Sequence, residues 1–192
     1  MRGASFIAGL CILLGCQRAA APDAATVSRY GIGREASNAE IAARDVDVGP
    51  DGVGLPPGSG TPAAGEVVFS RKCAVCHGPH GEGKLPLYPR LVGRDPRAQT
   101  FAFATDPSLS RTIGDYWPYA TTVFDYVRRS MPFTAPGSMT NDEAYAVTAY
   151  LLAANNLIPA TMTLDATSLP KVKMPAVNRF VPDTRRGGRE VK

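Results

Sequence analysis

Cys73-Ala74-Val75-Cys76-His77 is a C-x-x-C-H run that holds two of the chain's four cysteines and one of its two histidines. Two cysteines three apart on a helical turn can each add to a vinyl group of one porphyrin. The residue that follows then brings an imidazole to the iron. The spacing therefore implies covalent c-type haem, one per chain, with His77 as the proximal ligand. A zinc ribbon would need a second pair of ligands, and His80 is the only histidine left. A thioredoxin-like redox pair would need a surrounding β-α-β pattern, which the sequence lacks.

The other two cysteines, Cys11 and Cys16, sit at the start of the chain. Arg2 is followed by an apolar or small-residue run from Phe6 to Gly15. A membrane-spanning helix needs about 20 such residues, so this run is too short to cross and reads as a secretory signal peptide over 1–15. Leu13-Leu14-Gly15-Cys16 resembles the lipobox of bacterial lipoproteins, in which the cysteine is acylated and becomes the first mature residue. Acyl chains on Cys16 would hold the protein at a membrane surface in the periplasm. A plain signal peptide cut after Ala20 or Ala21 is the alternative. Export suits the haem motif, because c-type haem is attached outside the bacterial cytoplasm.

The 192 residues, 44% hydrophobic and 20% charged, suit one folded domain with tails and exclude a wholly disordered chain. The formal net charge is +4, and seven basic residues against two acidic ones lie between Lys171 and Lys192. A basic tail on a near-neutral body is a weak signal for nucleic acid, and no nucleic-acid partner is expected.

Three helices are expected to frame the haem motif. Thr61 is an N-cap and Pro62 a first helical residue, opening a helix that runs through Gly65, Val68 and Phe69 into Cys73. A second helix spans about Tyr119–Arg129, with Val123, Phe124 and Val127 on its apolar side. Thr140-Asn141-Asp142-Glu143 is a capping box that opens a third, ending about Asn155.

This arrangement resembles a class I cytochrome c, which implies an all-α fold in which the first and last helices cross. Gly65, Phe69 and Tyr150 match the family's crossing. The resemblance also implies a distal methionine from the loop before the last helix. Met131, in Arg129-Ser130-Met131-Pro132-Phe133, stands there; Met139, Met162 and Met174 are the other candidates. Pro89 matches the proline whose carbonyl accepts from the proximal imidazole, and Arg90, Trp117 and Tyr119 are candidate donors to the haem propionates. Thioether ligation favours ferrous iron, and two filled axial positions leave a relay rather than a reactive centre.

Four longer stretches narrow the resemblance: Tyr30-Gly31-Ile32-Gly33-Arg34, Leu55-Pro56-Pro57-Gly58-Ser59-Gly60, Trp117-Pro118-Tyr119-Ala120-Thr121-Thr122, and Met131-Pro132-Phe133-Thr134-Ala135-Pro136-Gly137-Ser138. They are similar to the cytochrome subunit of bacterial Sox sulfane dehydrogenases and related sulfite dehydrogenases, across about Tyr30–Pro175. That family implies a molybdenum-containing dehydrogenase subunit as electron donor and a downstream cytochrome or oxidase as acceptor. Some members carry two haems, whereas one C-x-x-C-H allows one here.

The expected organisation is a signal peptide (1–15), an N-terminal arm and Gly/Pro linker (16–60), a cytochrome c domain (61–158) and a Pro-rich, basic C-terminal arm (159–192). The first arm holds one short helix near Ser37–Arg44. Asp45, Asp47 and Asp51 read as turn residues rather than as a calcium site. Arm segments nearer the domain are expected to pack along it or along a partner, and the end beyond Arg179 to be a solvated tether. Two further functions stay open: a free-standing lipid-anchored carrier feeding a terminal oxidase or reductase, and a thiosulfate dehydrogenase working at its own haem.

Overall fold

A computed structural model describes residues 34–181. The signal peptide, Cys16, most of the Tyr30–Arg34 motif and the basic end from Pro182 lie outside the described residues. From Asn38 on, the described residues belong to one compact unit.

Among the described residues five α-helices follow in order: α1 (Asn38–Arg44), α2 (Pro62–Lys72), α3 (Ala74–His77), α4 (Ala120–Ser130) and α5 (Asn141–Ala154). The expected N-caps are in place. The Thr61 hydroxyl accepts from Ala64 N at 3.2 Å, and Thr140 and Glu143 close a reciprocal capping box. The run into the haem motif is not one helix. It breaks at Cys73, whose φ of −119° and ψ of −38° start α3 as a separate turn.

α2 and α5 cross at close range, and the small residues explain why. A Cβ on Gly65 would fall inside the van der Waals radius of the Ala146 carbonyl. Phe69 and Tyr150 meet across the crossing as a tilted pair with ring centroids 5.0 Å apart. α4 adds Val123, Phe124 and Val127 to this core, and Phe124 meets Tyr145 at 4.4 Å. Lys72, at the end of α2, bonds Glu143 of the α5 capping box at 2.7 Å.

A two-residue antiparallel pair joins β1 (Ser59–Gly60) to β2 (Leu164–Asp165), with Gly60 opposite Leu164. Sequence periodicity gives no sign of this pairing. Leu164, Leu169 and Met174 are buried in the same core as the helices, so the chain beyond α5 closes over the bundle. A second, smaller cluster forms from Ala98, Phe103 and Leu109, with Phe101 and Tyr116 against it. Phe180 meets Phe101 at 5.3 Å and Tyr116 at 5.5 Å, bringing the C-terminal segment onto that cluster.

Residues 46–60 are bound to α4 and α5 by side chains. Asp125 accepts from Val48 N at 2.9 Å and from Arg129 Nε at 2.7 Å. Thr121 donates to Pro50 O at 3.0 Å. Tyr145 donates its hydroxyl to Pro56 O at 2.9 Å. Burial pushes the Asp125 carboxyl up, but the Arg129 and Val48 hydrogen bonds and the nearby arginine charges outweigh it, and the net shift is downward.

A group with a lowered folded pKa stabilises the fold above the ordinary carboxylate range near about pH 4, and that contribution is lost as pH falls through the lower folded value. Asp125→Ala leaves the Val48 N–H without its acceptor and should cost about 2 kcal/mol at neutral pH. Asp125→Asn, which keeps an acceptor but loses the charge, should flatten the acid limb of the stability curve. Denaturant melts between pH 3 and 7 would check both, and an acid limb unchanged in Asp125→Asn would assign the loss to other carboxylates.

Candidate functional site

Cys73 caps α2, while Cys76 and His77 lie on the single turn of α3, so the three residues are contiguous at the end of α2. The two cysteines are not bonded to each other. Burial pushes the Cys73 thiol up to about 11, with Lys72 pulling it down and Cys76 pushing it up. A thiol that stays protonated at neutral pH is a poor attacking group for disulfide exchange, so Cys73 is not set up as a redox nucleophile.

His77 is fixed by its surroundings. Its Nδ1 lies 3.0 Å from Pro89 O. A carbonyl oxygen can only accept, so Nδ1 carries the hydrogen, and in the neutral ring Nε2 then keeps its lone pair. That is the tautomer an iron ligand needs. The loop returning to Pro89 is pinned as well: Gly83 N donates to His77 O at 2.7 Å, and Leu91 N donates to Gly81 O at 2.8 Å. Gly78, which follows His77, takes φ +79°, a left-handed conformation that glycine adopts without strain. Pro89, singled out from the sequence, thus lies beside His77.

Met131 is the C-cap of α4, half-buried, and packs against the main core, as do Cys73, Leu91, Val92 and Trp117. Met139 and Met174 are fully inside that core, at 7% and 3% exposure, and Met162 packs against it from beyond α5. Trp117 is half-buried with an edge-on contact to Tyr126 at 5.8 Å. Tyr119 is exposed and caps α4 without a side-chain bond. Arg90 is exposed too, and its Nε donates to Val92 O at 2.7 Å. The sequence reading missed Asn155, which is 2% exposed and hydrogen-bonded to the loop behind His77.

Among the described residues no group of histidines, cysteines and carboxylates forms a metal cluster, and no helix is long and apolar enough to cross a membrane. The unbonded cysteines on adjoining turns and the Nε2 lone pair of His77 suit a covalently held haem.

A family profile described as Cytochrome c matches residues 62–155. A chain in the crystal structure of the sulfane dehydrogenase SoxCD from Paracoccus pantotrophus is 44% identical, with a TM-score of 0.69 over 82% of this chain and 74% of that one. The chain belongs to the cytochrome c family. This cytochrome c is all-α apart from its small strand pair, carries covalent haem c and is an electron carrier related to the sulfur dehydrogenase.

It is also 29% identical over 91 residues to a thiosulfate dehydrogenase of Psychrobacter arcticus, covering 45% of this chain and 24% of that protein. Cytochrome c4 of Thiocapsa roseopersicina is 42% identical over 40 residues, 21% of each chain. The cytochrome spans about a quarter of the length of these curated relatives.

Proposed function

We propose that this cytochrome c is the electron-accepting subunit of a molybdenum-dependent dehydrogenase acting on sulfane sulfur or sulfite, and that it passes electrons to a downstream cytochrome or oxidase. The likeness to a SoxCD chain carries this reading, because it extends beyond the haem domain to 82% of the chain. When bound, haem c supplies a one-electron couple. His77 would ligate the iron through Nε2, with Nδ1 oriented by Pro89 O, a bond that raises ligand basicity. Met131 would ligate from the other side, Cys73 and Cys76 would carry the thioethers, and Arg90, Trp117 and Tyr119 would meet the propionates. Acylated Cys16 would hold the protein to a bacterial membrane in the periplasm.

The test adds sulfite or thiosulfate to the oxidised cytochrome under anaerobic conditions, with and without a periplasmic extract holding its native partners. Reduction of the haem only with extract is the expected result, and it gives an assay for isolating the catalytic subunit. Reduction by the cytochrome alone would replace this reading with a thiosulfate dehydrogenase working at its own haem. No reduction in either case would leave a general carrier. Mass spectrometry of the mature N-terminus should find Cys16 as a lipid-modified first residue.

A further inference from the structure

The proximal loop is held from behind by one buried amide. Asn155, the C-cap of α5, is 2% exposed. Its Nδ2 donates to Leu151 O at 2.8 Å, inside α5, and to Leu91 O at 3.2 Å, across to the loop. Its Oδ1 accepts from Gly93 N at 3.1 Å. Both donor hydrogens and one acceptor position are therefore used, and two of the three bonds hold residues 91–93. Leu91 O also accepts from Ile113 N at 3.1 Å, and Thr112 donates to Gly93 O at 2.8 Å. Gly114 makes room for the amide, since a Cβ there would lie 2.7 Å from Asn155 Oδ1.

Pro89, two residues before Leu91, carries the carbonyl that fixes His77. The chain from Asn155 to the imidazole therefore runs through one short, doubly anchored backbone segment. We propose that Asn155 is a positioning residue for the proximal histidine: it holds the 91–93 segment where Pro89 O can accept from His77 Nδ1. This rests on the reading of His77 as the iron ligand. Loosening that bond lowers the electron donation of the imidazole, so ferric iron is stabilised less and the reduction potential rises.

The experiment uses the full haem-loaded protein. It follows hydrogen exchange of the His77 Nδ1–H by NMR in the reduced state, and the reduction potential by spectroelectrochemistry. Asn155→Ala removes the amide. Gly114→Ala keeps Asn155 but displaces it, so the two variants reach the same loop by different routes. Thr148→Val is the control for a general loss of core stability, because the buried Thr148 hydroxyl bonds only Ala144 O within α5.

The expected result is Nδ1–H exchange about tenfold faster, with a raised potential, in both loop variants and in neither respect in Thr148→Val. If Asn155→Ala yields no holoprotein, Gly114→Ala alone decides. Exchange and potential matching the Thr148→Val control would overturn the proposal while leaving His77 as the ligand. A wild-type protein with no protected Nδ1–H would overturn the ligand geometry itself, and this proposal with it.

Discussion

Met131→Ala should abolish the sulfur-to-iron charge-transfer absorption of the oxidised cytochrome and lower its reduction potential. The four candidate methionines differ in their surroundings. Met139 and Met174 are locked inside the apolar core at 7% and 3% exposure, where a thioether packs as an adaptable hydrophobe. Met162 lies beyond α5 and packs against the same core. Met131 is only half-buried, at the C-cap of α4, with its backbone already out of the α conformation at φ −121° and ψ 151°. Its side chain packs against the main core, as do those of Cys73, at the head of the haem motif, and Trp117.

A thioether raises the potential by favouring ferrous iron, so its loss moves the couple downward. The variant should also bind cyanide much faster, because an axial position no longer has to be vacated. Met139→Leu, close to volume-conserving, should keep the band and the wild-type potential. A band that persists in Met131→Ala and vanishes in Met139→Leu would reassign the ligand. A band present in both single variants would send the search to Met162.

What could be read from the sequence was what is local in it. The C-x-x-C-H run is contiguous because one porphyrin must be reached by both thiols and the imidazole, whereas Pro89 is legible only through the family resemblance. α2 and α5 announce themselves through Thr61-Pro62 and Thr140…Glu143, whose side chains satisfy backbone groups within their own first turns. The pairing of Gly60 with Leu164 could not be read, since two-residue strands carry no periodicity and their partners are more than a hundred residues apart. The same holds for Leu169 and Met174, core residues in a Pro-rich stretch without a repeat. Phe101, Phe103 and Tyr116 form their cluster from irregular chain, where no spacing rule links them to Phe180. Asn155 read as the end of a helix. Its role depends on Leu91 and Gly93 arriving from another part of the chain, which no local pattern encodes.

Gly65→Ala should destabilise the cytochrome by at least about 3 kcal/mol, at the upper end of what overpacking costs. The reason is what the new methyl would strike. Its neighbours are the carbonyl carbon and oxygen of Ala146, with Tyr150 Cβ at 2.8 Å, so two of the three are backbone atoms of α5 and cannot rotate away. Gly60 approaches the same stretch, where a Cβ would strike the backbone of Tyr145 and Ala146. Relief by moving α5 would also disturb its backbone contact with Gly60 of β1, which is itself tied to β2. Relief by moving α2 would separate Phe69 from Tyr150 and shift Cys73, the cap from which the haem motif starts. Both routes damage either the core or haem attachment, so the yield of holoprotein should fall together with its melting temperature. Gly137→Ala provides the contrast, because a Cβ there meets nothing within 4 Å and only the φ of +73° resists the change. Left-handed backbone costs a non-glycine residue about 1 kcal/mol. Thermal melts of the two holoproteins should therefore place Gly65→Ala well below Gly137→Ala; the reverse order would mean that α2 and α5 do not cross at backbone contact.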